Sequence, residues 1–180
     1  MAQMGFYINV AHCIGCKTCV VACKDTNNIE VGRNFRRVYD FCEGSFPNVS
    51  MTHVSISCNH CDEPACMKGC PTHALQKRKE DGVVFIDHDR CIGCRYCEWN
   101  CPYGAPQYSE ELGMMTKCDT CLSLREKGEE PHCVTSCPMR AIEFGEIEEL
   151  RAKYGTNADI KGIPSSSITK PNLVINLLGK

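Results

Sequence analysis

The chain has 180 residues, enough for one or two small domains, and 17 of them are cysteine, a share that puts cysteine chemistry at the centre of the protein. The formal net charge is -2 with the lysines and arginines scattered, which argues against a nucleic-acid surface; the longest apolar run, residues 173–178 (LVINLL), is far short of the roughly 20 residues of a membrane-spanning helix. An odd cysteine count, and an N-terminus without a basic and apolar leader, argue against a secreted disulfide scaffold and for thiols that bind metal.

In chain order, a strand-like run at residues 6–10 (FYINV) leads into a first cysteine group, Cys13, Cys16, Cys19 and Cys23, spaced C-x2-C-x2-C-x3-C. The pair Arg36-Arg37 looks like a twin-arginine signal, but it lies too far along the chain and no apolar run follows it. Residues 35–57 hold two strand-like runs around Glu43-Gly44, which predicts a hairpin. Cys42 falls at its tip or edge and reads as a half-buried free thiol. A second strand-like run, residues 53–57, precedes Cys58, Cys61, Cys66 and Cys70, spaced C-x2-C-x4-C-x3-C-P. Residues 71–90 read as a half-turn of helix, a strand, a turn at Glu80-Asp81-Gly82 and a return strand at 83–87. Cys91, Cys94, Cys97 and Cys101 repeat the first spacing with a following proline. A last strand-like run, 114–117, then leads to Cys118, Cys121, Cys133 and Cys137, spaced C-x2-C-x11-C-x3-C-P. Residues 147–154 predict a short helix closed by Gly155. The tail, with Pro164 and Pro171, reads as an irregular extended arm packed on its own domain or on a partner subunit.

Sixteen of the cysteines thus fall into four groups of one grammar. Three cysteines on a tight loop cover three corners of one [4Fe-4S] cube, and the fourth, at the start of a helical turn, points away to ligate a neighbouring cluster. The prolines Pro71, Pro102 and Pro138 end the loop after three of the groups. Zinc is the competing metal, because C-x2-C pairs build structural sites; it has no use for the third cysteine of groups one and three. Cys58-x-His60 with Cys70-x2-His73 superficially resembles the halves of a Rieske site, but both cysteines already belong to complete groups. Neither a C-x3-C-x2-C loop nor a haem-attachment C-x2-C-H occurs.

The unit of strand run plus group is repeated four times. Groups two and three, with the compact segment between them, have the layout of a two-cluster ferredoxin, which leaves groups one and four to pair by elimination. The expected fold is α+β: an inner ferredoxin-like unit (53–104) inserted in an outer one (1–52 and 105–180), with the hairpin and tail as decoration. Crossed ligation then assigns Cys13, Cys16, Cys19 and Cys137 to one cluster, and Cys118, Cys121, Cys133 and Cys23 to its neighbour. Cys58, Cys61, Cys66 and Cys101 hold a third cluster, and Cys91, Cys94, Cys97 and Cys70 a fourth. Each cluster adds about -2 to the charge, so the loaded chain lies near about -10. Lys17, Lys24, Arg95 and Lys117 adjoin ligand cysteines and are candidates either for raising cluster potentials or for plain solvation. His12, His60 and His132 adjoin ligands and His73 lies three residues after one; they are candidates for coupling proton and electron.

The stretches CIGCKTCVVACKD, FRRVYDF, SISCNHCDEPACMKGCPTHAL, CIGCRYCEWNCPYGAPQY, MTKCDTC, SCPMRAIEFG and TKPN resemble the iron-sulfur subunit of the dimethyl sulfoxide reductase family of molybdopterin oxidoreductases, over about residues 5–175. The resemblance implies a subunit that is not catalytic alone and that relays electrons between a quinol-oxidising membrane anchor and a molybdopterin catalytic subunit in anaerobic respiration. It implies the same group pairing. In the nitrate reductase branch of that family the second cysteine of group three is tryptophan; Cys94 is present here, so four [4Fe-4S] clusters are implied. It also implies membrane association through partners, on the periplasmic face by co-export with the catalytic subunit or on the cytoplasmic face. The alternatives are the equivalent subunit of a formate dehydrogenase or sulfur-oxyanion reductase, or the beta subunit of a soluble molybdenum transhydroxylase.

Overall fold

In the computed structural model, which describes residues 2–177, the first strand-like run forms β1 (Met4–Asn9), the middle strand of three. Its four consecutive buried residues, Gly5 to Ile8, are what a strand covered on both faces requires. Both neighbours come from the other end of the chain. β8 (Ile142–Glu146) runs antiparallel with Ile142 opposite Ile8, and β9 (Leu173–Asn176) runs parallel with Ile175 opposite the same residue. Phe6, Ile8, Ile142, Leu173 and Ile175 pack on one face against Val54, Ile56, Cys19, Cys133 and Cys137. On the other face Tyr7 and Val174 receive Ile147 and Leu150 of α6 (Ile147–Tyr154), and the rings of Tyr7 and Tyr154 stack at 3.7 Å. Gly155, at φ 87°, closes that helix as its sequence implied.

The tail packs on its own domain, as expected, but is not irregular throughout. Its LVIN run is a buried strand, and just before it Asp62 and Glu63 donate their amides to the carbonyls of Lys170 and Thr169. Leu178, the end of the apolar run, lies outside the described residues. The hairpin also differs from expectation. β2 (Arg37–Ser45) and β3 (Asn48–Ile56) stay paired as far as Ser45 opposite Asn48, so the turn falls at Phe46-Pro47 and Gly44 remains in the ladder opposite Val49. Proline has no amide to give a ladder and sits where none is needed. Cys42 lies mid-strand opposite Met51 and is exposed, neither at the tip nor half-buried.

Two smaller hairpins complete the sheets: β4 (Leu75–Lys77) with β5 (Val84–Ile86), where the sequence predicted one, and β6 (Gln107–Ser109) with β7 (Met114–Thr116), of which only the second strand was foreseen. Leu75, Val84 and Met115 share a second core with Cys66, Cys70 and Cys97. The remaining helices are short: α1 (Thr18–Thr26), α2 (Ala65–Lys68), α3 (Tyr96–Asn100), α4 (Leu122–Arg125) and α5 (His132–Thr135). The molecule is a small α+β protein whose cysteine loops are framed by these elements.

Candidate metal centres

The four groups share a backbone plan. The third cysteine of each, Cys19, Cys66, Cys97 and Cys133, is the second residue of a short helix. The helical turn thus runs from the third cysteine to the fourth, one step earlier than the sequence reading placed it. The residue two after the first cysteine is left-handed in every group: Gly15, His60, Gly93 and Thr120. Glycine adopts that conformation freely, whereas His60 and Thr120 hold it with their side chains 1% exposed, locked by packing. After the fourth cysteine, groups two, three and four read C-P-x-x-A, with left-handed His73, Gly104 and Arg140 just before the alanine. The amides of Ala74, Ala105 and Ala141 then donate to Cys70, Cys101 and Cys137 Sγ at 3.3, 3.4 and 3.3 Å. Group one lacks the proline, so α1 continues, and Asn27 Nδ2 points to Cys23 Sγ at 3.7 Å. The alanine of this turn is a sequence signal that reading the cysteines alone passes over.

The sulfurs converge as sets. Cys13, Cys16, Cys19 and Cys137 line one cavity. Cys58, Cys61, Cys66 and Cys101 line a second, and Cys23, Cys118, Cys121 and Cys133 a third. For Cys97 the thiols acting on it are Cys70, Cys91 and Cys94. Each set mixes three cysteines of one group with the fourth of another. Sets of four all-sulfur donors, three from one group and one from another, fit an iron-sulfur cube.

Burial pushes the thiols of Cys23, Cys61 and Cys97 up to about 12 and that of Cys118 well above its ordinary value. Left alone these sulfurs keep their protons; a bound cationic core would supply the positive charge that holds them as thiolates. Cys16, at the surface, goes the other way because the Thr18 hydroxyl donates to it. At Cys70 burial opposes ionisation, but the amides of Leu75 and Ala74 and the Thr72 hydroxyl outweigh it and bring the thiol down.

The candidate cations separate sharply. Lys17 is on the surface 3.4 Å from Asp40, and Arg95 pairs with Glu110 and stacks on Tyr108. Lys24 pins a loop through the carbonyls of Glu30 and Arg33, 2.8 Å each. Lys117 alone of the four is buried, its Nζ held by the carbonyls of Val84 and Cys118. Arg36, set aside with its neighbour in the sequence, is also buried. His12 and His73 are exposed, and His132 Nδ1 meets Thr26 Oγ1 at 2.5 Å. His60 lines the second cavity; its Nδ1 accepts the Val84 amide at 3.1 Å, which leaves the proton on Nε2, a buried atom without a partner.

Residues 49–147 match the family model described as 4Fe-4S dicluster domain. The sequence is 53% identical over 181 residues to the probable anaerobic dimethyl sulfoxide reductase component YnfG of Escherichia coli K12 and 50% identical to a component of the anaerobic dimethyl sulfoxide reductase of the same strain, in both cases over 96% of this protein and 88% of the relative. It is 38% identical to a component of the sulfite dehydrogenase of Allochromatium vinosum, over 83% of this protein and 71% of that one.

Proposed function

We propose an electron relay for this chain, which belongs to the 4Fe-4S dicluster family and, within it, to the iron-sulfur subunits of the anaerobic dimethyl sulfoxide reductase type. It binds iron-sulfur clusters and serves electron transfer in an oxidoreductase, not catalysis by itself. Beyond that, we propose four [4Fe-4S] clusters on the four crossed cysteine sets, in an inner ferredoxin-like unit (53–104) set into an outer one (1–52 and 105–180). Each cluster, when bound, supplies a one-electron couple. The chain's own residues fix where the clusters lie and what charge surrounds them.

The observation that carries this reading is the convergence of crossed cysteine sets around separate cavities. Their neighbours give an order. Cys13 and Cys19 share a core with Cys133 and Cys137, Cys58 and Cys101 pack with Cys118, and Cys66 with Cys70 and Cys97. The sequence of clusters is then group one, group four, group two, group three, named by their first three ligands. Cys16 and Cys94, one at each end, are exposed, as entry and exit of a relay require. The partners we assign are a molybdopterin catalytic subunit at one end and a membrane anchor at the other, with membrane association through them. The 50–53% identities favour a dimethyl sulfoxide reductase-type partner over a sulfur-oxyanion enzyme.

The test is iron and acid-labile sulfide per chain, with EPR of the anaerobically reduced complex. About sixteen irons with interacting four-iron signals are expected. Zinc, or about eight irons, would overturn the four-cluster reading.

A further inference from the structure

Arg36 is 1% exposed and heads the fully buried side chains by volume. Its hydrogen-bond acceptors are all neutral: Nη1 donates to Ser55 O and Oγ at 3.4 and 3.2 Å, and Nη2 to Ser57 Oγ at 3.0 Å. The guanidinium lies 4.6 Å from the centre of the Phe6 ring, and its Nε is buried with no partner among the described residues. Arg125 marks the contrast, because its guanidinium meets the Asp81 carboxylate at 2.9 Å. A guanidinium does not give up its proton, and a buried charge without a counter-ion is among the least favourable features a fold can hold.

The groups that face Arg36 identify the missing anion. Burial opposes its charge, and the groups that favour it are thiols, Cys133, Cys19, Cys118 and Cys23 in that order. These thiols belong to two crossed sets. Cys23, Cys118 and Cys133 line the cavity that Arg36 itself lines. Cys19 belongs to the neighbouring set and is reached through Ser55, whose Oγ meets Arg36 at 3.2 Å and Cys19 Sγ at 3.4 Å.

We infer that Arg36 is the shared counter-cation of two adjacent clusters, those on Cys13, Cys16, Cys19, Cys137 and on Cys23, Cys118, Cys121, Cys133, and that it holds both at a higher reduction potential. The inference rests on the ligand sets proposed above. Reduction adds one negative charge to a cluster, and a fixed positive charge in a poorly screened interior favours the reduced form. A cation between two sites acts on both, so its removal displaces two potentials together. As the residue between them, Arg36 works on the relay without touching any substrate.

The experiment is an EPR-monitored redox titration of the complex carrying R36Q, R36K or the wild-type chain, with iron counted in each. R36Q is expected to lower the reduction equilibrium constant of both clusters at least tenfold, about 59 mV for one electron, while the other two clusters shift less than threefold. R36K is expected to restore both. If R36Q keeps its iron and neither potential or only one of them falls, the inference is overturned. If R36Q loses iron and R36K retains it with wild-type potentials, charge compensation is upheld. If both variants lose iron, the guanidinium serves packing and the inference fails. A wild-type complex without sixteen irons would instead count against the ligand sets.

Discussion

Asn172 is the sharpest place to test how the tail supports the second cysteine group. It is 1% exposed, and its Nδ2 donates to His60 O at 2.8 Å and to Asp62 Oδ1 at 3.0 Å. Its Oδ1 has no partner among the described residues, so removing that atom forfeits no hydrogen bond there. Asn172→Ala deletes one neutral hydrogen bond and one to a carboxylate, about 1 kcal/mol each once the exposure of Asp62 is discounted, and leaves the His60 carbonyl dry at about 1 kcal/mol more. The sum, about 2–3 kcal/mol, is roughly a 30- to 160-fold rise in local opening. The amides of Asp62 and Glu63, which donate to Lys170 O and Thr169 O at 2.9 and 3.1 Å, report that opening directly. Hydrogen exchange of the iron-loaded protein should show those two amides accelerated by that factor, with the β2–β3 hairpin unchanged. Exchange that is unaltered at Asp62 and Glu63, or accelerated everywhere alike, would refute the reasoning.

Cys94→Ser should remove one cluster or convert it to a three-iron form, read as about four irons or one iron fewer per chain, whereas Cys42→Ser, at an exposed strand position, should leave iron and EPR signals unchanged. Gly93 holds φ 65°, and a Cβ there would stand 2.5 Å from the Gly113 carbonyl oxygen. Gly93→Ala therefore adds about 1–2 kcal/mol of left-handed strain to a backbone clash beside Cys91 and Cys94, and lowered iron occupancy with loss of a single EPR signal is the expected result.

The cysteine grammar made the candidate sites legible because each ligand's position is written locally, as a spacing of two, three or four residues. Local structure was legible for the same reason: the helix over 147–154 and its closing Gly155, and the turn at Glu80-Asp81-Gly82, depend on neighbours. What the sequence left unread is long-range or polar. β1 takes both its partners from beyond residue 140, and nothing in LVIN announces that it is to lie parallel to FYIN. The hairpin turn went to Glu43-Gly44 because glycine is the usual turn signal, yet the ladder carries Gly44 and gives the turn to Pro47. Arg36 and His60 were missed, or undervalued, because no periodicity distinguishes a buried polar side chain from a solvated one. Their burial is decided by Ser55, Ser57 and Val84, which come close only after folding.

The buried cations also say how a row of like-charged centres is kept workable. On the proposed ligand sets the two end clusters have a water-exposed cysteine each, Cys16 and Cys94, so solvent and salt screen them. The two interior clusters have no such relief, and loading carries the chain towards about -10. It is in the interior that the fold places the two buried cations of the described residues: Arg36 before the group-four cluster, and Lys117 after it, where the lysine faces Cys66, Cys101 and Cys118 of the two interior sets. Lys117 bonds carbonyls and no carboxylate, so its charge is free to act on the clusters. Lys117→Met should therefore lower both interior potentials, by roughly tenfold in each equilibrium constant or about 59 mV, with Lys117→Arg close to wild type and the group-three cluster unmoved. Redox titration that finds the interior pair unchanged in the methionine variant would mean that backbone amides, rather than cations, offset the interior charge.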